Sequence, residues 1–116
     1  MVISRTHRFH GYGSLRRVYR QGQMTRGSLF AVKALPNESR KSYRAAVVVS
    51  RKVNKSAVAR NRIRRRLYEA IWILGPQINH PYDIVITVFN DSLLEVPHRQ
   101  LEGQLKRLLK QAKVIG

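Results

Sequence analysis

The chain has 116 residues, of which 43% are hydrophobic, no cysteine, and a formal net charge of +17. This length and apolar fraction predict one small domain with a modest core, and the lack of cysteine excludes a disulfide framework or a thiolate metal site. No apolar run approaches the ~20 residues that cross a bilayer. Since the N-terminus also lacks the apolar segment of a secretory signal, we expect a cytoplasmic protein.

The charge is unevenly distributed along the chain. Residues 1–68 carry 18 Lys or Arg against one acid, Glu38, whereas residues 69–116 carry five of each sign. A block of one sign predicts contact with a polyanion. A membrane surface is the competing partner, but it favours a helix with bulky aromatic residues on its apolar face. The longest basic segment here has an aliphatic stripe instead, which favours nucleic acid.

The first predicted element is a short helix. Residues 1–13 mix arginine, histidine and glycine, so we expect a flexible arm there. Residues 14–21 place apolar side chains at i, i+3 and i+4, the spacing of one helical face. These side chains are Leu15, Val18 and Tyr19.

Two strands are predicted next. Residues 28–35 alternate, with Phe30, Val32 and Ala34 on one face. The polar residues 36–43 predict a turn, and residues 44–50 predict a second strand. Because so few residues join the two strands, an antiparallel hairpin is the simplest arrangement.

A long basic helix follows. Residues 51–66 hold eight Lys or Arg and no acid. On a helix from about Ala57, the apolar side chains form one stripe and the cations occupy its flanks and outer face. The stripe contains Ile63, Leu67, Ala70 and Leu74; one flank contains Arg60, Arg64 and Tyr68, and the other side contains Arg62, Arg65 and Arg66. Ser56 is a suitable N-cap, and Gly75-Pro76 predicts the end.

The usual interpretation of a charge run is a solvated face. Such faces normally mix signs to limit repulsion between neighbouring turns. Glu69 is the single acid of this helix, so its cations repel one another unless a polyanion neutralises them. The pattern therefore favours binding to nucleic acid.

The last two elements carry no signal for a site. Residues 82–89 form a continuous apolar run, typical of a strand buried on both faces. A strand–helix–strand crossover would place this run parallel to residues 44–50, and general statistics favour a right-handed crossover. A final helix is predicted from about Pro97, with its apolar positions at helical spacing: Leu101, Leu105, Leu108, Leu109 and Ala112.

The segment KSAVARNRIRRRLYEA, with VVVSRK just before it, resembles the signature of the bacterial ribonuclease P protein component. The core of that signature is Arg60-Asn61-Arg62. The opening residues Arg8, Phe9, Leu15, Val18, Tyr19 and Gly22 are similar to the start of the family. The resemblance spans residues 8–110 and implies an α+β sandwich in the order helix, strand, strand, long helix, strand, helix. It also implies an unusual left-handed crossover.

The resemblance implies a function within a ribonucleoprotein. In that family the RNA subunit carries the catalytic site, and hydrolysis removes the 5′ leader of precursor tRNA. The expected partners are the catalytic RNA and the precursor tRNA, with no membrane and no obligate protein partner. Mg²⁺ would be held mainly by the RNA, while the protein would help to bind metal and substrate. The protein would contain no catalytic residue, and the sequence assigns no metal-binding residue in it.

The resemblance also implies two binding surfaces. The surface facing the catalytic RNA would comprise Arg51, Lys52, Arg60, Asn61, Arg62, Arg65 and Arg66. The cleft for the single-stranded leader would comprise Leu15, Tyr19, Lys33, Val49, Arg60, Arg64 and Tyr68. Bases can stack on tyrosine rings, which makes Tyr19 and Tyr68 the candidate platforms, although a core position is the alternative for Tyr19. The family often has an aromatic residue in place of Leu15 and Lys33, and a basic residue in place of Tyr68.

Two other functions are compatible with parts of the sequence. A ribosomal or assembly protein that binds structured RNA would share the size and basicity. A stand-alone nuclease would need a pair of acid–base groups, for which His7 and His10 are the candidates. The acids Asp83, Asp91, Glu95 and Glu102 are too scattered to predict a two-metal nuclease site.

Overall fold

The computed structural model describes residues 12–116. Helices and strands follow one another in the order α1, β1, β2, β3, α2, β4, α3. Their bounds are α1 Tyr12–Gln21, β1 Gln23–Arg26, β2 Phe30–Pro36, β3 Arg44–Val49, α2 Ala57–Leu74, β4 Tyr82–Val88 and α3 His98–Gln111. Two short 3₁₀ turns, Gly75–Gln77 and Asp91–Glu95, follow α2 and β4. The mixed α/β class predicted from the sequence is confirmed.

The four strands form one sheet in the order β1-β2-β4-β3. Strand β4 is antiparallel to β2 and parallel to β3, so Ile86 lies opposite both Val32 and Val47. The predicted hairpin between β2 and β3 is therefore wrong, because β4 lies between them. A strand that is apolar on both faces buries most of its surface at the centre of a sheet. The parallel pairing of β3 with β4 is confirmed, and the hand of their crossover stays a prediction.

The hairpin of this sheet joins β1 to β2. The two strands are antiparallel, with Gln23 opposite Ala34 and Arg26 opposite Ala31, and the Gly27 N–H donates to the Phe30 carbonyl at 2.9 Å. Strand β1 was not predicted because its sequence, QMTR, has no apolar alternation. It lies at the edge of the sheet and exposes most of its side chains, so little burial constrains its sequence.

Helices cover both faces of the sheet. Helices α2 and α3 pack over the larger core, which includes Ala45, Val47 and Val49 of β3. Helix α1 covers the opposite face, where Val18 packs against Ala46 and Val85. We call these the α2 face and the α1 face. Alternate residues of a strand point to opposite faces, which decides where each predicted site residue lies.

The predicted pattern of α2 is confirmed. Ser56 caps the helix by accepting a hydrogen bond from the Ala59 N–H at 3.2 Å, and the helix ends at Leu74, directly before Gly75. The predicted apolar stripe is buried: Ile63, Leu67, Ala70 and Leu74. The predicted apolar positions of the last helix are buried as well: Leu101, Leu105, Leu108, Leu109 and Ala112.

The N-terminal boundary differs from the prediction. Helix α1 begins at Tyr12, so residues 12 and 13 belong to the helix and not to the predicted arm. The rest of that arm, including His7 and His10, lies outside the described residues. Within residues 12–116, no helix combines the length and hydropathy needed to span a membrane.

Candidate nucleic-acid interface

The loop before α2 presents cations on a fixed backbone. Arg51, Lys52 and Lys55 are exposed. The side-chain amide of Asn54 fixes the loop through hydrogen bonds of both its oxygen and its nitrogen. Its Oδ1 accepts from the Ser56 N–H at 2.9 Å, and its Nδ2 donates to Asp91 Oδ2 at 3.0 Å. The loop is thus tied both to the N-terminus of α2 and to the turn after β4.

Arg60 extends this basic surface onto the helix. Its Nη1 donates to the carbonyls of Asn54 at 3.0 Å and Lys55 at 2.9 Å, which aligns the guanidinium with the loop. Together these residues line an open depression of about 560 Å³: Arg51, Lys52, Lys55, Ala57 and Arg60. Four cations surround the N-terminus of α2, where the helix dipole also favours negative charge. The depression is suited to a phosphate-bearing ligand.

The arginines on the outer side of α2 differ in exposure. Arg62 and Arg65 are exposed. Arg66 is half-buried, and its guanidinium donates to the carbonyls of Leu93 and Val96. Arg66 therefore clamps the 3₁₀ turn Asp91–Glu95 against α2, which corrects its predicted place among the RNA-facing side chains. Asn61 is exposed, and its Oδ1 accepts from Arg64 Nη1 at 2.6 Å.

The α1 face brings together three residues of the predicted leader cleft. Leu15 is half-buried against the core beneath α1, and Tyr19 is 39% exposed. Lys33 Nζ donates to the Tyr19 carbonyl at 2.5 Å and lies 5.7 Å from the centroid of the Tyr19 ring. The exposed ring excludes the core alternative for Tyr19. An aromatic face and an ammonium group thus form one unit at the C-terminal end of α1.

Val49 and Tyr68 do not join this unit. Val49 is 6% exposed and points to the α2 face, whereas its neighbour Val48 is half-buried on the α1 face. A shift of one residue along a strand reverses the face, and the alternation of β3 was the signal for choosing Val48. Tyr68 is 8% exposed, and its Oη accepts from the Val47 N–H at 3.1 Å. Tyr68 therefore covers the free edge of β3, which corrects its predicted role as a stacking platform.

Arg60 and Arg64 lie on the same flank of α2 as Tyr68, at i, i+4 and i+8. Because Tyr68 reaches β3, this flank faces the free edge of the sheet, between the two faces. Both arginines are half-exposed. The cations predicted for the leader are thus placed at the edge and not beside Tyr19.

The acidic side chains support the fold. Asp83, 1% exposed, accepts from Arg44 Nε and Nη2, both at 2.9 Å, and from Asn37 Nδ2 at 2.8 Å. Asp91 is bonded to Asn54, and Glu102 lies 3.5 Å from His98 Nε2. Across residues 12–116, no three His, Cys, Asp or Glu side chains converge as a set of metal ligands.

Comparison with known proteins identifies the family of this chain. Residues 3–113 match the family model described as Ribonuclease P. The chain belongs to the ribonuclease P protein family. The ribonuclease P protein component of Picosynechococcus sp. is 38% identical over 98% of this chain and 97% of its own length. That of Roseiflexus castenholzii is 34% identical over 97% of this chain and 91% of its own length.

Solved ribonuclease P proteins have the same fold. The protein from Staphylococcus aureus, 25% identical, superposes with a TM-score of 0.82 over 95% of this chain and 98% of its own. The protein from Thermotoga maritima, 23% identical, gives a TM-score of 0.78 over 90% of this chain and 96% of its own, a likeness of fold alone. The resemblance seen in the sequence is confirmed. Membership makes the chain an RNA-binding component of ribonuclease P, an endoribonuclease ribonucleoprotein of tRNA processing.

Proposed function

We propose that this chain is the non-catalytic protein subunit of a bacterial, cytoplasmic ribonuclease P. It binds the catalytic RNA through the loop before α2 and the exposed arginines of α2, and it binds the 5′ leader of precursor tRNA on the α1 face. The single observation that carries the proposal is the basic surface at the start of α2, which is fixed in place by Asn54 and Arg60.

The exposed cations of this surface are not paired with acids. They are Arg51, Lys52, Lys55, Arg62 and Arg65; among residues 12–116 none of them lies within ion-pair distance of a carboxylate, and the nearby Asp91 is bonded to Asn54. Uncompensated cations on one surface attract a polyanion and release its counterions on binding. Because the loop is already ordered, little conformational entropy is lost when RNA binds. The surface supports a stable contact with structured RNA.

The α1 face supports a different contact, with a single strand. Proteins hold single strands by stacking bases on aromatic rings and by pairing cations with the backbone. The Tyr19 ring and the Lys33 ammonium supply one of each. The half-buried Leu15 adds an apolar wall beside them. This unit fits unpaired leader nucleotides better than it fits a duplex, whose bases are already stacked.

The acids support a catalytic role for the RNA. Mg²⁺, when bound, would activate the attacking water and stabilise charge on the phosphate, and it prefers several oxygen ligands at one place. The carboxylates of Asp83, Asp91 and Glu102 are separated and engaged with neighbouring side chains. This donor set does not fit such an ion, which is consistent with the RNA supplying the metal sites.

The test is reconstitution with a bacterial ribonuclease P RNA and a precursor tRNA at low magnesium, with RNA alone and protein alone as controls. We expect cleavage at the mature 5′ end in the mixture only. Cleavage by the protein alone would contradict the proposal, and His7→Ala with His10→Ala would then test the stand-alone nuclease. Binding of structured RNA without any gain in cleavage would favour the ribosomal or assembly role.

A further inference from the structure

Helix α1 carries a second basic surface, on the side that faces away from the sheet. Its side chains line a shallow depression of about 290 Å³: Gly13, Arg16, Arg17, Arg20 and Gln21. All five residues are exposed. Neither Arg17 nor Arg20 has an acid within ion-pair distance among residues 12–116. The contacts proposed so far for the catalytic RNA and for the leader platform do not use these arginines.

This surface continues directly from Tyr19. At about 100° per residue, Arg16 lies about 60° and Arg20 about 100° around the helix from Tyr19, on the side away from the buried Val18. A Cβ added at Gly13, between the arginines, would meet no atom within 4 Å, so the middle of the depression is open. A strand stacked on the Tyr19 ring could therefore continue over the arginines without crossing another element of residues 12–116.

We propose that the outer surface of α1 binds the phosphates of the leader that lie 5′ of the nucleotides stacked on Tyr19. This inference rests on the proposed function. The 3′ end of the leader joins the tRNA at the cleavage site, in the catalytic RNA, which we place against α2. Helix α2 packs on the opposite face of the sheet from α1, so the free 5′ end of the leader leaves Tyr19 on the side away from α2, where the arginines lie.

The chemistry of the surface favours a phosphate backbone over base recognition. Guanidinium groups form paired hydrogen bonds with phosphate oxygens, and Arg17 and Arg20 lie one turn apart. The side chains that the structure describes around this depression are three guanidinium groups and one amide, with no aromatic ring among them. Binding at this surface should therefore increase the length of leader that the protein contacts, without adding a preference for particular bases.

The test compares two precursor tRNAs in the reconstituted holoenzyme, one with a leader of about four nucleotides and one of about sixteen. The variant is Arg17→Ala with Arg20→Ala, which keeps the helix because alanine has the highest helix propensity. The matched control is Arg107→Ala with Lys110→Ala, which removes the same charge from exposed positions of α3. Circular dichroism verifies that both variants are folded.

We expect the α1 variant to bind the long-leader precursor about fivefold more weakly, with a log–log salt slope smaller by about 1.4 because two phosphates are no longer neutralised. Short-leader precursor and mature tRNA should bind as they do to the control.

An equal loss of affinity with both leaders, or a loss no larger than that of the control, would overturn the inference. If the unaltered holoenzyme bound long-leader precursor and mature tRNA equally, the proposed function would fail as well. If Tyr19→Ala weakened both precursors while the α1 variant changed neither, only this inference would fail.

Discussion

Tyr19 and Lys33 show how two side chains can define a surface. The Lys33 ammonium is held by the last turn of α1 through the Tyr19 carbonyl, where the helix dipole favours a cation. It therefore stays beside the ring without an acidic partner. Lys33 therefore supplies a positive charge next to the Tyr19 ring.

Replacing Tyr19 with alanine should weaken precursor tRNA more than mature tRNA in the assembled enzyme. Base stacking contributes about 1–3 kcal/mol per base, and mature tRNA has no leader to stack. The measurement is the dissociation constant of each tRNA, with Tyr19→Phe as the control that keeps the ring. Equal losses of affinity for the two tRNAs would show that Tyr19 does not contact the leader.

The burial of Tyr43 makes the stability of the protein depend on pH in the alkaline range. Desolvation by the surrounding core raises the pKa of its hydroxyl from 10.0 to about 12. Because the folded state holds the proton more tightly than the unfolded chain, the stabilising effect is complete below pH 10 and is lost as the pH rises toward 12. Tyr43→Phe should reduce the pH dependence of the free energy of unfolding in that window by about 1.4 kcal/mol per pH unit. Denaturant titrations at several pH values test this, and an unchanged dependence would contradict it.

Among the elements, α2 contributes to binding on one flank and to stability on the other. The flank with Arg60 and Arg64 faces the edge of the sheet, and the flank with Arg66 holds the 3₁₀ turn Asp91–Glu95 through the carbonyls of Leu93 and Val96. A hydrogen bond from a charged donor contributes about 1.5–3 kcal/mol to stability. Position within the helix therefore decides whether an arginine contributes to binding or to stability.

Arg66→Ala should lower the free energy of unfolding by about 1–3 kcal/mol, whereas Arg65→Ala, one residue earlier and exposed, should change it by less than about 0.5 kcal/mol. Denaturant unfolding of the two variants measures both values. Equal stabilities would show that the clamp does not hold the turn in solution.

The sequence predicted the helices better than the sheet. Helical spacing is a local signal, so the buried stripe from Ile63 to Leu74 and the leucines of α3 could be identified from the sequence alone. Strand order depends on contacts between distant segments, and the short connection between β2 and β3 favoured a hairpin that β4 in fact separates. The alternation of β3 would have favoured Val48 over Val49 for the α1 face. The roles of Tyr68 and Arg66 could not be predicted in this way, because they depend on which backbone groups of distant segments lie opposite α2.

At the scale of the whole molecule, the basic residues of the first part of the sequence form two separate surfaces. The basic surface at the start of α2 and the outer side of α1 lie on opposite sides of one sheet. The longest dimension of the structure is 36 Å. Two RNA segments can therefore be bound at the same time without sharing cations. The formally neutral segment after residue 68 supplies β4, one of the two interior strands, and α3, and both contribute to the core.

Replacing Arg62 and Arg65 with alanine should weaken binding to the catalytic RNA and make it less sensitive to salt. The log–log slope should fall by about 0.7–0.9 for each phosphate that the variant no longer neutralises. The measurement is the dissociation constant at several salt concentrations, with Arg107→Ala and Lys110→Ala as the variant of equal charge. An unchanged slope would contradict the assignment of these arginines.

The central position of β4 also sets the order in which the protein can assemble during synthesis. Strands β2 and β3 have no direct pairing with each other, so a growing chain that has not yet reached Tyr82 cannot close the sheet. Pairing of segments far apart in sequence is slow and comes late in folding. Eighteen of the 23 Lys and Arg residues precede Tyr82, yet the sheet that positions them is completed only by β4. We therefore expect the basic surfaces to take their final arrangement late in folding, after most of the residues that compose them have been synthesised.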